Sequence, residues 1–447
     1  MEKAFVIDRH TFADLEILET KSSKDTIFKF FDRAISHGGR EVLLDMFHCP
    51  LSDIREIRER QALIRYVCEE KVPVSINKYL LEFIELYLQQ SNKPVRISRF
   101  DALNKAFNYM IKPTTEYYII QRGVKEVIEF LQELYALAAD KSLPNIPHLW
   151  QQQLDFLDET IRFSELRHII GFNTKKRIGI IEREKFDHIF RYCESDRLKK
   201  IIRIVYQIDA FQAVAKTRED IGLVFPEIVE SKKVEIIGLY HLFVKNAVAN
   251  NVCLHDEKNI LFVTGANMAG KSTFLKAFGV AVFLAHLGFP VPAVSMQTGV
   301  FNGLFSTINL ADNLNKGYSH FYTEVLRVKN VAEEINRTKN IVVIFDELFR
   351  GTNVKDAYDA SLAIISAFAK VKGSMFLVSS HLMEVADQLG KLKNIHFGYF
   401  HTNITGNEFT YSYHLLEGVT EERLGMLIIE NERIIETINE GRQSEIR

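Results

Sequence analysis

Cysteine is scarce: four residues in 447, Cys49, Cys68, Cys193 and Cys253, far apart and outside any C-x-x-C or Cys/His metal spacing. That excludes a disulfide framework and the usual zinc modules, and predicts buried thiols in a reducing compartment. An excess of charge is also lacking. The formal net charge of −2 gives nucleic acid no global attraction, so any such contact must come from local patches. Long apolar runs are missing too. The longest, Ala277 to Val294, is broken by His286, Pro290 and Pro292, and MEKAFVIDRH at the start has no apolar core of signal-peptide length. These absences predict a cytoplasmic protein with no membrane span.

What is present suits two to four soluble domains, with 47% apolar and 26% charged residues. From Asp8 to about Pro226 apolar residues recur at three- and four-residue spacing, as in Val124-Val127-Ile128-Leu131-Leu134-Tyr135, which predicts helices joined by turns. Breaks fall at Pro50, Pro94, Pro113, Pro144-Pro147 and Gly171. Basic residues gather at Lys175-Lys176-Arg177, Arg197-Lys199-Lys200-Arg203 and Lys93-Arg96-Arg99-Lys105. Each cluster could meet phosphates or form a solvated helix face. Around Glu227 to Glu235 the texture changes to short apolar runs punctuated by Gly and Asn, and strands then alternate with helices. Such alternation predicts a mostly parallel sheet, with Ile395–Phe400 and Phe409–Tyr413 as edge strands.

The centre of the chain is NILFVTGANMAGKSTFLKAF, residues 259–278, a strand, a small-residue loop and a helix with G-x-x-x-x-G-K-S at the joint. A triphosphate must be approached by several backbone N–H groups at once, and side chains at Gly265 and Gly270 would hold the backbone away. The loop residues Gly265, Ala266, Asn267, Met268, Ala269 and Gly270 are therefore the candidate cradle. Lys271 suits the β- and γ-phosphates, Ser272 a bridging Mg²⁺, and Thr273 a further phosphate contact. Ile341 to Phe345 is an apolar run ending in Asp346 and Glu347. A buried parallel strand would deliver Asp346 to the Mg²⁺ and Glu347 to the attacking water. Phe376 to Ser380 leads to His381, placed to sense a γ-phosphate or its water. Ser319 could cap an ordinary helix or open a helix terminus that receives phosphate.

Together these residues resemble the MutS family of DNA mismatch-repair ATPases, a branch of the ABC-type P-loop ATPases. The loop Thr264–Thr273 reads TGANMAGKST against a family TGPNMGGKST, with Ala266 and Ala269 as departures. The family's D-E-x-x-R-G-T is matched by Asp346 to Thr352, its S-x-F-x-x-E by Ser319, Phe321 and Glu324, and its T-H switch by Ser380-His381. Further likeness lies in Asp14 to Leu18, Phe31-Asp32-Arg33, Gly38-Gly39-Arg40, Pro50 to Asp53, Ile57 to Arg60 and Ile208 to Phe211. Ala247 stands where some members carry an aromatic that stacks on adenine.

The resemblance implies an α/β P-loop (ABC-type) ATPase domain with a mostly parallel sheet at 233–447, preceded by an all-α core/lever domain at 1–232 with a shortened or absent clamp. It implies a short member without mismatch-reading and connector domains. It also implies a homodimer with shared nucleotide sites, Ser319 acting on the partner's ATP, Asp346 and Ser272 on Mg²⁺, and Glu347 and His381 in hydrolysis. DNA is the implied partner; the alternative is an ATP-gated clamp or adaptor for a protein or RNA. A kinase that phosphorylates a small molecule fits Glu347 and the Ser319 helix less well.

Overall fold

The computed structural model describes residues 5–19, 25–70, 76–90, 115–140, 144–308, 320–405, 408–420, 429, 431–435 and 437–438. It divides into two compact units, residues 1–30, 49–58 and 221–447 in one, and residues 31–48 and 59–220 in the other.

The first unit is built on two sheets. Its strands are β1 (Val6–Ile7), β2 (Glu227–Ile228), β3 (Lys233–Leu239), β4 (Asn250–His255), β5 (Ile260–Gly265), β6 (Ser295–Thr298), β7 (Gly303–Thr307), β8 (Ile341–Asp346), β9 (Met375–Ser379), β10 (Ile395–Thr405) and β11 (Glu408–Glu417). Seven form one sheet in the order β1-β7-β8-β9-β5-β10-β11, parallel throughout except for the β10–β11 pair. β5, β8 and β9 are buried at every position, as strands covered on both faces must be, and this is why they read as unbroken apolar runs. The smaller sheet runs β2-β6-β3-β4. β10 is not an edge strand, since it pairs with β5 in parallel and with β11 in antiparallel; of these two, β11 is the one at the border.

The helix Lys271–His286 is apolar on nearly every side and buried along most of its length. One flank packs on the sheet and another on the first residues of the chain. A Cβ on Gly279 would lie 2.9 Å from Ile344 of β8 and 2.8 Å from Leu15. Residues 5–17 therefore belong to this core: β1 extends the sheet beside β7, and Leu15 and Ile17 are fully buried. Asp14 accepts from Ile308 N (2.7 Å) and Ser306 Oγ (2.8 Å).

The described elements of the second unit are helices, among them Thr115–Ala139, His148–Phe163 and most of Ser195–Ile221. Buried Asp209 accepts from Ile35 N (3.0 Å) and from the backbone N (2.7 Å) and Oγ (2.5 Å) of Ser36. A Cβ on Gly39 would fall 2.2 Å from the Asp209 carboxylate, and one on Gly38 would fall 2.1 Å from the Tyr206 ring. The glycine pair is thus the close approach that lets two helices meet.

All four cysteines are free, but only Cys68 is buried, which corrects the expectation of buried thiols. Cys253 shows why: it sits on the outward side of β4, whose positions alternate between buried and exposed. Among the described residues no helix is long and apolar enough to cross a membrane.

Candidate nucleotide site

The sheet order brings the separated motifs to one edge. β9 lies between β8 and β5, with Ser379 opposite both Asp346 and Val263, so the ends of the three strands share a level. The loop from Gly265 to Gly270 leaves β5 and enters the helix at Lys271. Gly265 and Gly270 have φ of 142° and 106°, and Met268 has φ of 65°. The two glycines hold left-handed backbone that a Cβ would strain. Ala269 is buried, while Asn267 and Met268 face outward.

Lys271 is 5% exposed, and its Nζ donates to Gly265 O (2.7 Å) and Ala266 O (3.0 Å). The same atom lies 3.8 Å from Glu347 Oε1 and 3.5 Å from His381 Nδ1. Burial pulls the Lys271 pKa below its ordinary value, against the opposing pull of Glu347 and Asp346. Ser272 Oγ donates to Asp346 Oδ2 at 2.5 Å, and Ser379 Oγ donates to Asp346 Oδ1. Two oxygens suited to one hard cation are thereby adjacent. Among the described residues no group of three His, Cys, Asp or Glu could hold a metal. The Ser272 and Asp346 oxygens are of the hard kind that a divalent cation such as Mg²⁺ would take.

Glu347 leaves the strand in left-handed backbone, φ 58°, with its N–H donating to Ser379 O (3.1 Å) and Ser379 Oγ (3.2 Å). Its carboxylate pairs with His381 Nε2 through Oε1 and with Arg350 Nε through Oε2 at 2.7 Å. Burial alone would raise the Glu347 pKa; His381, Arg350 and Lys271 outweigh it and hold the carboxyl below its usual range. In this arrangement Glu347 is a restrained, weak base.

Beside the loop is a cavity of about 360 Å³ lined by Tyr240, His241, Ala247, Met268, Thr273 and Tyr413, among others. Tyr413 has φ of 57°, and Asn250 fixes it by donating to Tyr413 O (3.0 Å) and accepting from Leu415 N (2.7 Å). Neither Tyr413 nor the roles of Ser379 and Arg350 follows from local spacing. Ser379 had one signal, a hydroxyl at the end of an apolar strand. Ser319 lies outside the described residues, as does the Lys93-Arg96-Arg99-Lys105 cluster. Lys175, Lys176 and Arg177 are exposed, whereas Arg197, Lys199 and Arg203 pair with Glu194, Asp196 and Asp45.

Residues 261–444 match the family model for MutS domain V, and residues 10–215 match that for MutS domain III. Among curated relatives, the DNA mismatch repair protein MutS of Persephonella marina is 30% identical over 354 residues, 77% of this chain and 38% of that protein. That of Aquifex pyrophilus is 28% identical over 72% of this chain and 36% of its own length, and that of Bacillus subtilis 31% over 52% and 27%. The chain therefore aligns to well under half the length of these relatives. Two domain matches falling on separate halves of the sequence, with relatives near 30% identity along both, support its membership of the MutS family.

Proposed function

We propose that the protein is an ATP-hydrolysing, MutS-like DNA-binding protein that works as a homodimer with shared nucleotide sites. The observation that carries this reading is the meeting of Ser272 with Asp346 at 2.5 Å, with Lys271 and Glu347 3.8 Å apart beside it. Gly265 to Gly270 and the helix N-terminus offer backbone N–H groups to the phosphates, and Lys271 exchanges the carbonyls of Gly265 and Ala266 for phosphate oxygens. When bound, Mg²⁺ neutralises phosphate charge in the hydrolysis step, and Ser272 and Asp346 would hold it.

Moving Lys271 onto phosphate removes the smallest of the cationic influences that hold the Glu347 carboxyl low and leaves His381 and Arg350 in place. Glu347 then orients and deprotonates the attacking water, and His381 bonds the γ-phosphate or that water. Ser319 serves the partner's nucleotide. We assign the ATPase domain to 233–447, with residues 5–17 joining its core, and the helical core and lever to the remainder of 1–232, and a cytoplasmic location goes with the assignment. DNA engagement is gated by nucleotide, as a family of mismatch-repair proteins leads one to propose.

The test is a salt-controlled titration of the Glu347→Gln protein against homoduplex, mismatched, branched and single-stranded DNA, with ATP and without nucleotide, alongside wild-type phosphate release. Wild-type turnover with ATP-dependent affinity for one DNA form supports the reading. Turnover without binding to any form at moderate salt sinks the DNA assignment and transfers the clamp to a protein or RNA partner.

A further inference from the structure

A second carboxylate is bonded to the loop that follows Glu347. Glu324 lies on the helix His320–Thr338, is 5% exposed, and accepts from the backbone N–H of Arg350 (3.2 Å) and, at the limit of bonding distance, of Gly351 (3.5 Å). Nearly a turn earlier, the Phe321 ring packs on that of Phe349 with centroids 5.7 Å apart and planes tilted by 60°. Burying a carboxylate is costly unless hydrogen bonds replace water, and the loop amides supply them.

The held segment is strained. Glu347 and Phe349 have φ of 58° and 64°, a conformation that side chains other than Gly rarely adopt and that persists only where surroundings impose it. Ser379 fixes the start of the segment through Glu347 N, and Glu324 fixes its end through Arg350 N. The Arg350 side chain in turn holds Glu347 Oε2. The helix is itself anchored: Arg327, one turn on from Glu324, donates to Asp8, Ser306 O and Thr307 Oγ1.

We propose that Glu324 is a positioning residue that sets the Arg350–Glu347 pair, and hence the hydrolytic carboxylate, from the helix opening at His320. The proposal rests on the reading of Glu347 as the residue that activates water. Glu324 acts through the peptide at residues 350–351. The same linkage gives a route by which movement of that helix reaches Glu347 within one subunit.

The experiment uses the full chain and compares Glu324→Ala, Glu324→Gln and wild type in three measurements. Glu324→Ala should lower kcat for ATP at least 10-fold with ATP affinity within 3-fold, and Glu324→Gln, which keeps one acceptor, should fall between. In a Glu347→Gln background the Glu324→Ala change should have no added effect on residual single-turnover hydrolysis, as two residues acting through one group require. Hydrogen exchange at residues 347–353 should quicken at least 10-fold in Glu324→Ala. Unchanged kcat despite quickened exchange would overturn the proposal, and so would an equal effect in the Glu347→Gln background. Nucleotide affinity and Tm falling together with kcat in both variants would reduce Glu324 to a structural residue and overturn it too. A wild type that does not hydrolyse ATP would instead sink the ATPase reading, while unchanged exchange in Glu324→Ala would show that Glu324 does not hold the loop.

Discussion

At the residue scale, the clearest case of environment deciding chemistry is His286. It is fully buried at the end of the apolar helix, bonded through Nδ1 to Val282 O (2.8 Å), with Nε2 accepting from Phe301 N (2.9 Å). Accepting at Nε2 requires the neutral ring, and burial lowers the pKa from 6.5 to about 4. The unfolded chain therefore binds a proton between pH 6.5 and 4 that the folded chain refuses. Stability from this group is complete above pH 6.5 and declines as pH falls towards 4, by up to about 3 kcal/mol. Urea unfolding of wild type between pH 7 and 4.5 should show a steeper loss than His286→Gln, which cannot titrate. Equal slopes would mean that the ring does not stay neutral in the fold.

Elements show what the sequence could and could not reveal. β5, β8 and β9 were readable because strands buried on both faces leave unbroken apolar runs, and the turn from Gly265 to Gly270 because left-handed backbone at its two ends favours glycine. Asp209 and the Gly38-Gly39 pair could be picked out singly, yet nothing local says that they are two sides of one contact. β1 and β7 were missed: β1 has only two residues, and Gly303–Thr307 mixes Gly, Ser and Thr into a fully buried strand. Their joining depends on long-range bonds, which gives a test. Asp14 is 3% exposed and holds Ile308 N and Ser306 Oγ. Asp14→Ala would leave both donors unpaired, at a cost of about 2–4 kcal/mol, from roughly 1–3 for each buried group less some relaxation. The urea midpoint should drop accordingly; a shift below about 0.5 kcal/mol would show that residues 5–17 contribute little to the core.

At the scale of the whole molecule, the proposed shared site makes oligomeric state depend on nucleotide. Glu347 is held by His381, Arg350 and Lys271, and Lys271 by loop carbonyls, so both groups have partners that phosphate must displace. Replacing Glu347 with Gln removes the base while leaving Lys271 free to bind phosphate, so ATP should accumulate in the closed assembly. Light scattering of Glu347→Gln should give twice the wild-type nucleotide-free mass on adding ATP and Mg²⁺ if that resting state is monomeric, or a more compact dimer by small-angle scattering if it is already paired. Lys271→Ala loses the cation opposite the phosphates and should show neither change at any ATP concentration that saturates Glu347→Gln. A nucleotide response in Lys271→Ala equal to that of Glu347→Gln would place ATP elsewhere than the loop between Gly265 and Gly270. A Glu347→Gln protein that binds ATP without altering mass or shape would separate nucleotide binding from subunit closure and remove the shared site from the mechanism.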